Sequence, residues 1–366
     1  MALVPEPPDL NIYRRELEQV RSFFAEVSSL LDRKPFKPHP VFSSAHAQTL
    51  GAYAWPRRRR LSATVLHDEE RLFLVDDGVQ VMSQCRWQPD KADRSTLVIW
   101  HGMEGSTDSV YMWSTADKAF RAGFNVVRVN YRNCGRTEHL SPTLYHGGMS
   151  ADLRAVISEL IDRDKLKRIY PVGFSLGGNM VLKLAGEYGE NPPAQVIAAC
   201  VVSPSVDLRA STDQILKGSN WIYHRSFVLS LKNKIRAKNR LYPELYPRET
   251  LSEIKTIRDF DERYTSVANG FANADDYYSR SSSTRFVDQI RIPTLIIHAL
   301  DDPFIPYEPL EQPGFLENPY LLVVPTTKGG HVAFISTGDK REDRFWAENR
   351  VIDFCQLSEA KLPSYF

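Results

Sequence analysis

The stretch Gly173-Phe174-Ser175-Leu176-Gly177 sets a serine between two glycines, where an apolar run ends and a helix-like pattern begins. A serine hydroxyl attacks poorly unless a base takes its proton and an acid orients that base. G-x-S-x-G between a strand and a helix predicts a nucleophile elbow, a turn so tight that the positions two before and two after the serine must lack side chains. The hydroxyl then projects above the sheet, beside a helix N-terminus that favours developing negative charge. The bland alternative is a glycine-rich turn that cradles a phosphate, and the partners downstream weigh against it.

In this topology the partners follow in the order acid, then histidine. Of nine histidines only His331, in TTKGGHVAF, lies beyond the last apolar run, and Gly329 and Gly330 suit a loop that carries it to the strand edges. The acid is expected where the preceding strand ends, in IIHALDDPFIP. Asp302 is preferred because Pro303 and Pro306 stiffen the loop it opens; Asp301 is the second choice and Asp207 the third. Two backbone N–H groups should hold an oxyanion: Leu176, directly after the serine, and Met103, in IWHGMEGS, where Gly102 lets the chain turn inward. Such a set implies acyl transfer through a serine ester, with no cofactor or metal.

Positioning these groups requires alternating strands and helices. Residues 71–77 and 79–87 alternate in strand fashion around Gly78, a hairpin. Apolar runs at 95–100, 125–131, 168–174, 196–202, 293–300 and 320–325 read as central parallel strands. Helical patterns at 107–122, 148–163, 176–188 and 340–357 place helices on both faces of a mostly parallel sheet. The interval from Val202 to Pro293 far exceeds the usual loop of roughly 4 to 6 residues, which predicts an inserted cap. The expected division is an N-terminal arm (1–60), a core (61–206 and 291–366) and a cap insertion (207–290).

Leu17, Val20, Phe24, Val27 and Leu31 recur at helical spacing and predict an amphipathic helix over 11–33, packed on the body of the protein. Segment 217–240 carries seven basic residues and no acid, and the basic run 57–60 is a second positive feature; both read as solvated faces. For the loop 132–150, with Cys134, Gly135, His139, Tyr145 and His146, structural bracing is expected.

Composition narrows the partners. Across 366 residues, 46 Lys and Arg balance 45 Asp and Glu, so no global field draws the chain to nucleic acid. No stretch approaches the ~18 apolar residues of a spanning helix, and the start lacks the pattern of a secretory signal. Cys85, Cys134, Cys200 and Cys355 fit neither a disulfide framework nor a metal site. A cytoplasmic protein acting on a small, neutral or lipid-like molecule is expected, with peripheral membrane contact open and oligomeric state unspecified.

Six segments in order, HAQTLGAY, HGMEGS, NYRNCGRTEHLSPTLYHGGMSADL, GFSLGGNM, LDDPFIP and GGHVAF, resemble the YheT-like branch of the α/β-hydrolases, which includes bacterial YheT, plant EMB8 proteins and related animal lipases. The resemblance spans roughly residues 35–358. It implies the α/β-hydrolase fold with a helical cap, a triad of Ser175, Asp302 and His331, and hydrolysis of carboxylic esters by a carboxylesterase or lipase. None of the nine histidines has an aspartate five residues on, so the H-x-x-x-x-D acyltransferase signature of some members is missing. Thioester, acyl-transfer and peptide substrates remain alternatives for the same triad. A binding protein that keeps the fold without the chemistry is the alternative of another class.

Overall fold

A computed structural model describes residues 10–55, 68–338 and 342–362. The basic run 57–60 lies outside them. Helix α1 (Leu10–Arg33) and helix α2 (Ala45–Ala54) lead into an eight-stranded sheet. Its strands are β1 (Glu69–Asp76), β2 (Val79–Arg86), β3 (Thr96–Trp100), β4 (Asn125–Val129), β5 (Ile169–Phe174), β6 (Ala199–Val202), β7 (Thr294–Ala299) and β8 (Leu321–Thr326). Their order is β1-β2-β4-β3-β5-β6-β7-β8; β1 and β2 are antiparallel to their neighbours and the rest are parallel. Gly78 makes the β1–β2 turn with φ of 64°, a conformation a side chain disfavours.

Helices α3 (Val110–Arg121), α4 (Ser150–Asp162) and α5 (Leu176–Tyr188) connect the strands, and α3 pairs with the C-terminal helix while α4 pairs with α5. The inner strands β3 to β7 are buried at every position, as runs of Val, Ile and Leu covered on both faces must be. Strand β8 departs from that expectation. It is the sheet edge, and Leu322, Val323 and Val324 are only half-buried.

Between β6 and β7 the chain forms α6 (Leu208–Ile215), α7 (Trp221–Leu241), α8 (Ile257–Phe260), a π-helical turn (Asp261–Thr265), α9 (Ser266–Ala268) and α10 (Ala274–Ser281). Ile215, Val228, Leu231, Ile235, Ile257 and Phe260 build a second apolar cluster there, closed from the sheet side by Leu144, Phe304 and Ile305. Helix α7 is less solvated than its charge suggests, because Lys234 and Lys238 are buried.

A short helix α11 (Pro313–Leu316) precedes β8, and α12 (Trp346–Lys361) closes the fold. Helix α12 begins later than its pattern predicts, since Phe345 still pairs with Ile335 in a β-bridge. Helix α1 lies on α12 through buried Val20, Phe23, Phe24 and Val27, with the Phe23 and Phe354 rings 5.3 Å apart. Among the described residues no helix is long and apolar enough to cross a membrane.

Candidate active site

Ser175 stands between β5 and α5 with φ of 54° and ψ of −118°, a strained backbone that the surrounding packing must enforce. The flanking glycines explain how the turn fits. A Cβ at Gly173 would lie 2.4 Å from the Gly177 carbonyl oxygen, and one at Gly177 would lie 2.6 Å from that of Trp100. Either methyl group would force the elbow off the sheet.

His331 reaches Ser175 from the loop after β8. Its Nε2 is 3.0 Å from Ser175 Oγ, and its Nδ1 is 2.8 Å from Asp302 Oδ2. The histidine backbone is fixed on both sides: His331 N–H donates to Thr49 Oγ1 at 3.0 Å and Val332 N–H to Ser203 Oγ at 3.2 Å. Thr49 belongs to α2, so the arm before the sheet helps hold the histidine, a contact with no signal in the local sequence.

Asp302 is buried beside the ring. Its other oxygen, Oδ1, accepts N–H bonds from Phe304 at 2.8 Å and Ile305 at 3.1 Å. Burial opposes its charge, but the fields of His331 and His298 and these bonds outweigh that and hold the carboxyl below its ordinary pKa. Asp301 makes a different contact: its Oδ1 accepts the Gly330 N–H at 2.9 Å. Asp207 caps α6 by accepting the Ala210 N–H at 2.9 Å. Of the three aspartates, the structure brings only Asp302 to the histidine ring.

The loop after β3 lies against the serine, where a Cβ on Gly102 would be 3.0 Å from Ser175 Cβ. Tyr131 N–H donates to His101 Nε2 at 3.3 Å, so His101 carries its proton on Nδ1 and donates it to the Gly102 carbonyl at 2.7 Å. Burial pushes the His101 pKa down to about 3, which keeps the ring neutral. The Gly102 carbonyl also accepts Gly105 N–H, and Gly102 N–H donates to Tyr111 Oη at 2.8 Å. A trans peptide points its N–H opposite its carbonyl. The bonds that hold the Gly102 carbonyl therefore fix the direction of Met103 N–H. Leu176 begins α5, so its N–H has no carbonyl one turn back to bond.

The loop 132–150 braces α5. Asn179 Nδ2 donates to the carbonyls of Gly147 and Ser281, and its oxygen accepts Ser283 N–H. Cys134 is buried, its thiol pushed up to about 12, which removes it as a nucleophile at ordinary pH.

Above Ser175 lies a cavity of about 560 Å³ lined mostly by apolar side chains, including Met103, Leu144, Ile215, Phe227, Leu231 and Phe304. Leu50, Tyr53 and Ile222 line it too and are exposed to solvent. A serine, a ring nitrogen and a carboxylate in one hydrogen-bonded row, facing an apolar cavity, form an arrangement suited to acyl transfer.

Comparison with known proteins follows the same lines. A family model described as alpha/beta hydrolase fold matches residues 95–337. YheT of Escherichia coli, proposed by its name to be an esterase, is 32% identical over 87% of this chain and 92% of its own. The embryogenesis-associated protein EMB8 of Picea glauca is 25% identical over 89% of this chain and 73% of its own. The esterase Pf2001 of Pyrococcus furiosus superposes with a TM-score of 0.54 at 17% identity, covering 80% of this chain and 92% of that one, a likeness of fold.

Proposed function

Because the chain belongs to the α/β-hydrolase family, in the branch that contains YheT and EMB8, we propose that it is a serine carboxylesterase or lipase with Ser175, His331 and Asp302 as its triad. The observation that carries this reading is the hydrogen-bonded row from Ser175 Oγ through His331 to Asp302 Oδ2, with Ser175 and His331 lining the cavity.

In the first half-reaction His331 Nε2 takes the hydroxyl proton as Ser175 Oγ attacks the ester carbonyl. Asp302 accepts the Nδ1–H bond and stabilises the imidazolium, while the N–H groups of Met103 and Leu176 receive the oxyanion. The tetrahedral species collapses, and the alcohol leaves with the proton from His331. Water then attacks the acyl-enzyme along the same path, returning Ser175 and releasing the carboxylic acid. Both halves use protein groups and water.

The substrates proposed are small or lipid-like esters, whose acyl chains the apolar cavity would take from water. Exposed Leu50, Tyr53 and Ile222 give the cavity wall a surface suited to peripheral contact with lipid. The segment 207–290 is proposed to act as the cap, and four free buried thiols fit a reducing, cytoplasmic setting.

The test is hydrolysis of p-nitrophenyl esters, acetate to palmitate, by the wild type and Ser175→Ala, together with fluorophosphonate labelling. Ester turnover and labelling that both vanish in the variant are the expected result. A wild type that neither turns over an ester nor labels would sink the proposal.

A further inference from the structure

Glu104 and Lys234 form a buried ion pair that takes no part in the steps above. Glu104 directly follows Met103 and sits at φ of 55°, in the left-handed region that side chains rarely adopt. Its N–H donates to Tyr145 Oη at 3.1 Å, and the Tyr145 hydroxyl donates in turn to Glu104 Oε1 at 2.9 Å. The Ser230 hydroxyl donates to Oε2 at 2.6 Å, and Lys234 Nζ lies 3.3 Å from Oε1. Both side chains of the pair are more than nine-tenths buried.

Lys234 is anchored as firmly as the carboxylate. Its ammonium donates to the Asn133 carbonyl at 2.6 Å, contacts Cys134 Sγ at 3.4 Å and lies 5.2 Å from the centre of the Tyr145 ring. Burial opposes its charge, but Cys134 and Glu104 outweigh that and raise its pKa above the ordinary value. Ser230 and Lys234 are one helical turn apart on α7, so one helix face meets the carboxylate twice.

A buried ion pair is weak evidence for stability, because well-packed apolar residues usually serve as well. What it supplies is a fixed geometry. The Gly102–Met103 peptide is tied on its N-terminal side by core residues, His101 and Tyr111. One residue beyond it the chain is tied at Glu104, by Tyr145 and by α7.

We propose that Ser230 and Lys234 are positioning residues for ester hydrolysis: by holding the Glu104 carboxylate they keep Met103 N–H aimed at the oxyanion, so that α7 sets the reactivity of the site it covers. The inference rests on the serine-hydrolase reading above. Neither residue touches the reacting atoms, though both line the cavity, so their loss acts on kcat through Met103 and on KM through the cavity wall.

The test compares kcat, KM, pH profile and Tm of the full-length wild type with those of Ser230→Ala, Lys234→Met, Glu104→Ala and the Glu104→Ala/Lys234→Met double variant. Removing one oxyanion donor costs on the order of 100-fold or more in kcat, so a misaimed donor in Lys234→Met should cost roughly 10- to 100-fold. KM should move as well, since Glu104, Ser230 and Lys234 also line the cavity, so kcat at saturating ester carries the test. The pH profile should keep its shape because His331 and Asp302 are unaltered. In the double variant no charge is left unpaired, so Tm recovers towards wild type while kcat stays low. Recovery of kcat along with Tm would mark the pair as structural and overturn the inference. Ser230→Ala leaves both charges paired and puts folding at little risk; its kcat should still fall, by about threefold to tenfold, and an unchanged value overturns the inference. A wild type without Ser175-dependent turnover would instead overturn the hydrolase reading, and the inference with it.

Discussion

Two adjacent aspartates at the end of β7 divide the support of His331 between ring and backbone. Asp302 holds the imidazole at Nδ1, whereas Asp301 holds the loop through Gly330 N–H, and its Oδ2 is buried without a partner among the described residues. Asparagine at 302 keeps the shape but offers an N–H or a weaker acceptor to the ring, stranding the wrong tautomer. Asp302→Asn should therefore lower kcat by about 10⁴-fold. Asp301→Asn can still accept from Gly330, so its kcat should fall by less than about tenfold. Steady-state kinetics of the two variants on one ester checks the assignment, and the opposite ranking would move the acid to Asp301. Stability follows with a definite sign. The folded pKa of Asp302 lies below an unfolded value of about 3.9, so its contribution is full above that value and is lost as pH falls through the lower folded one. The Tm difference between wild type and Asp302→Asn should shrink as pH drops below about 4.

Among the elements, the π-helical turn Asp261–Thr265 carries a carboxylate with the reverse behaviour. Asp261 lines the cavity and accepts hydrogen bonds from Thr265 Oγ1 at 2.7 Å and Tyr278 Oη at 2.8 Å, but forms no ion pair among the described residues. Burial pushes its pKa up to about 6. The fold thus favours the neutral acid, and the penalty grows as pH rises from the unfolded value near 4 and is complete above about 6. Asp261→Asn removes the charge, with the Tyr278 hydroxyl turning to accept, and should stabilise the protein at pH 7 by about 1–3 kcal/mol and hardly at all at pH 4. Thermal melts across that range decide it; a variant less stable at pH 7 would mean the ionised form is needed in the fold. Elements of the fold also differ in how far they could be read beforehand. The β5–Ser175–α5 elbow was legible because its cause is local, a turn too tight for side chains at 173 and 177. The inner strands were legible for the same kind of reason, since burial on both faces leaves unbroken apolar runs. Glu104, Ser230 and Lys234 were not, because each charge is compensated across more than a hundred residues and a lysine on a basic helix looks like any solvated lysine. Strand β8 misled in the other direction: its apolar run matches an inner strand, and only the sheet order puts it at the edge.

At the scale of the whole molecule, the cavity exists because two apolar clusters meet without filling the space between them. One wall comes from the sheet and its loops, with Met103, Leu176 and Phe304; the other comes from the segment between β6 and β7, with Ile215, Leu231, Ile257 and Phe260. The sheet side therefore holds Ser175 and His331 and the opposite side holds much of the shape, which lets the second change without disturbing the first. Each methylene taken from water contributes about 0.8 kcal/mol, so kcat/KM should rise about fourfold per added carbon until the acyl chain fills the space. Beyond that length the gain should stop, and the break point measures the cavity in solution. Ile215 faces the cavity from α6 and also packs in the second cluster, so Ile215→Trp should fill part of the space. The break point should then move to shorter chains while hydrolysis of the acetate ester stays close to wild type, because Ser175, His331 and Asp302 are untouched. A uniform loss across all chain lengths would mean that the substitution disturbs the triad and that Ile215 does not bound the acyl site. An unchanged break point with full activity would mean that the acyl chain leaves by another wall, towards Leu50 and Tyr53 on α2.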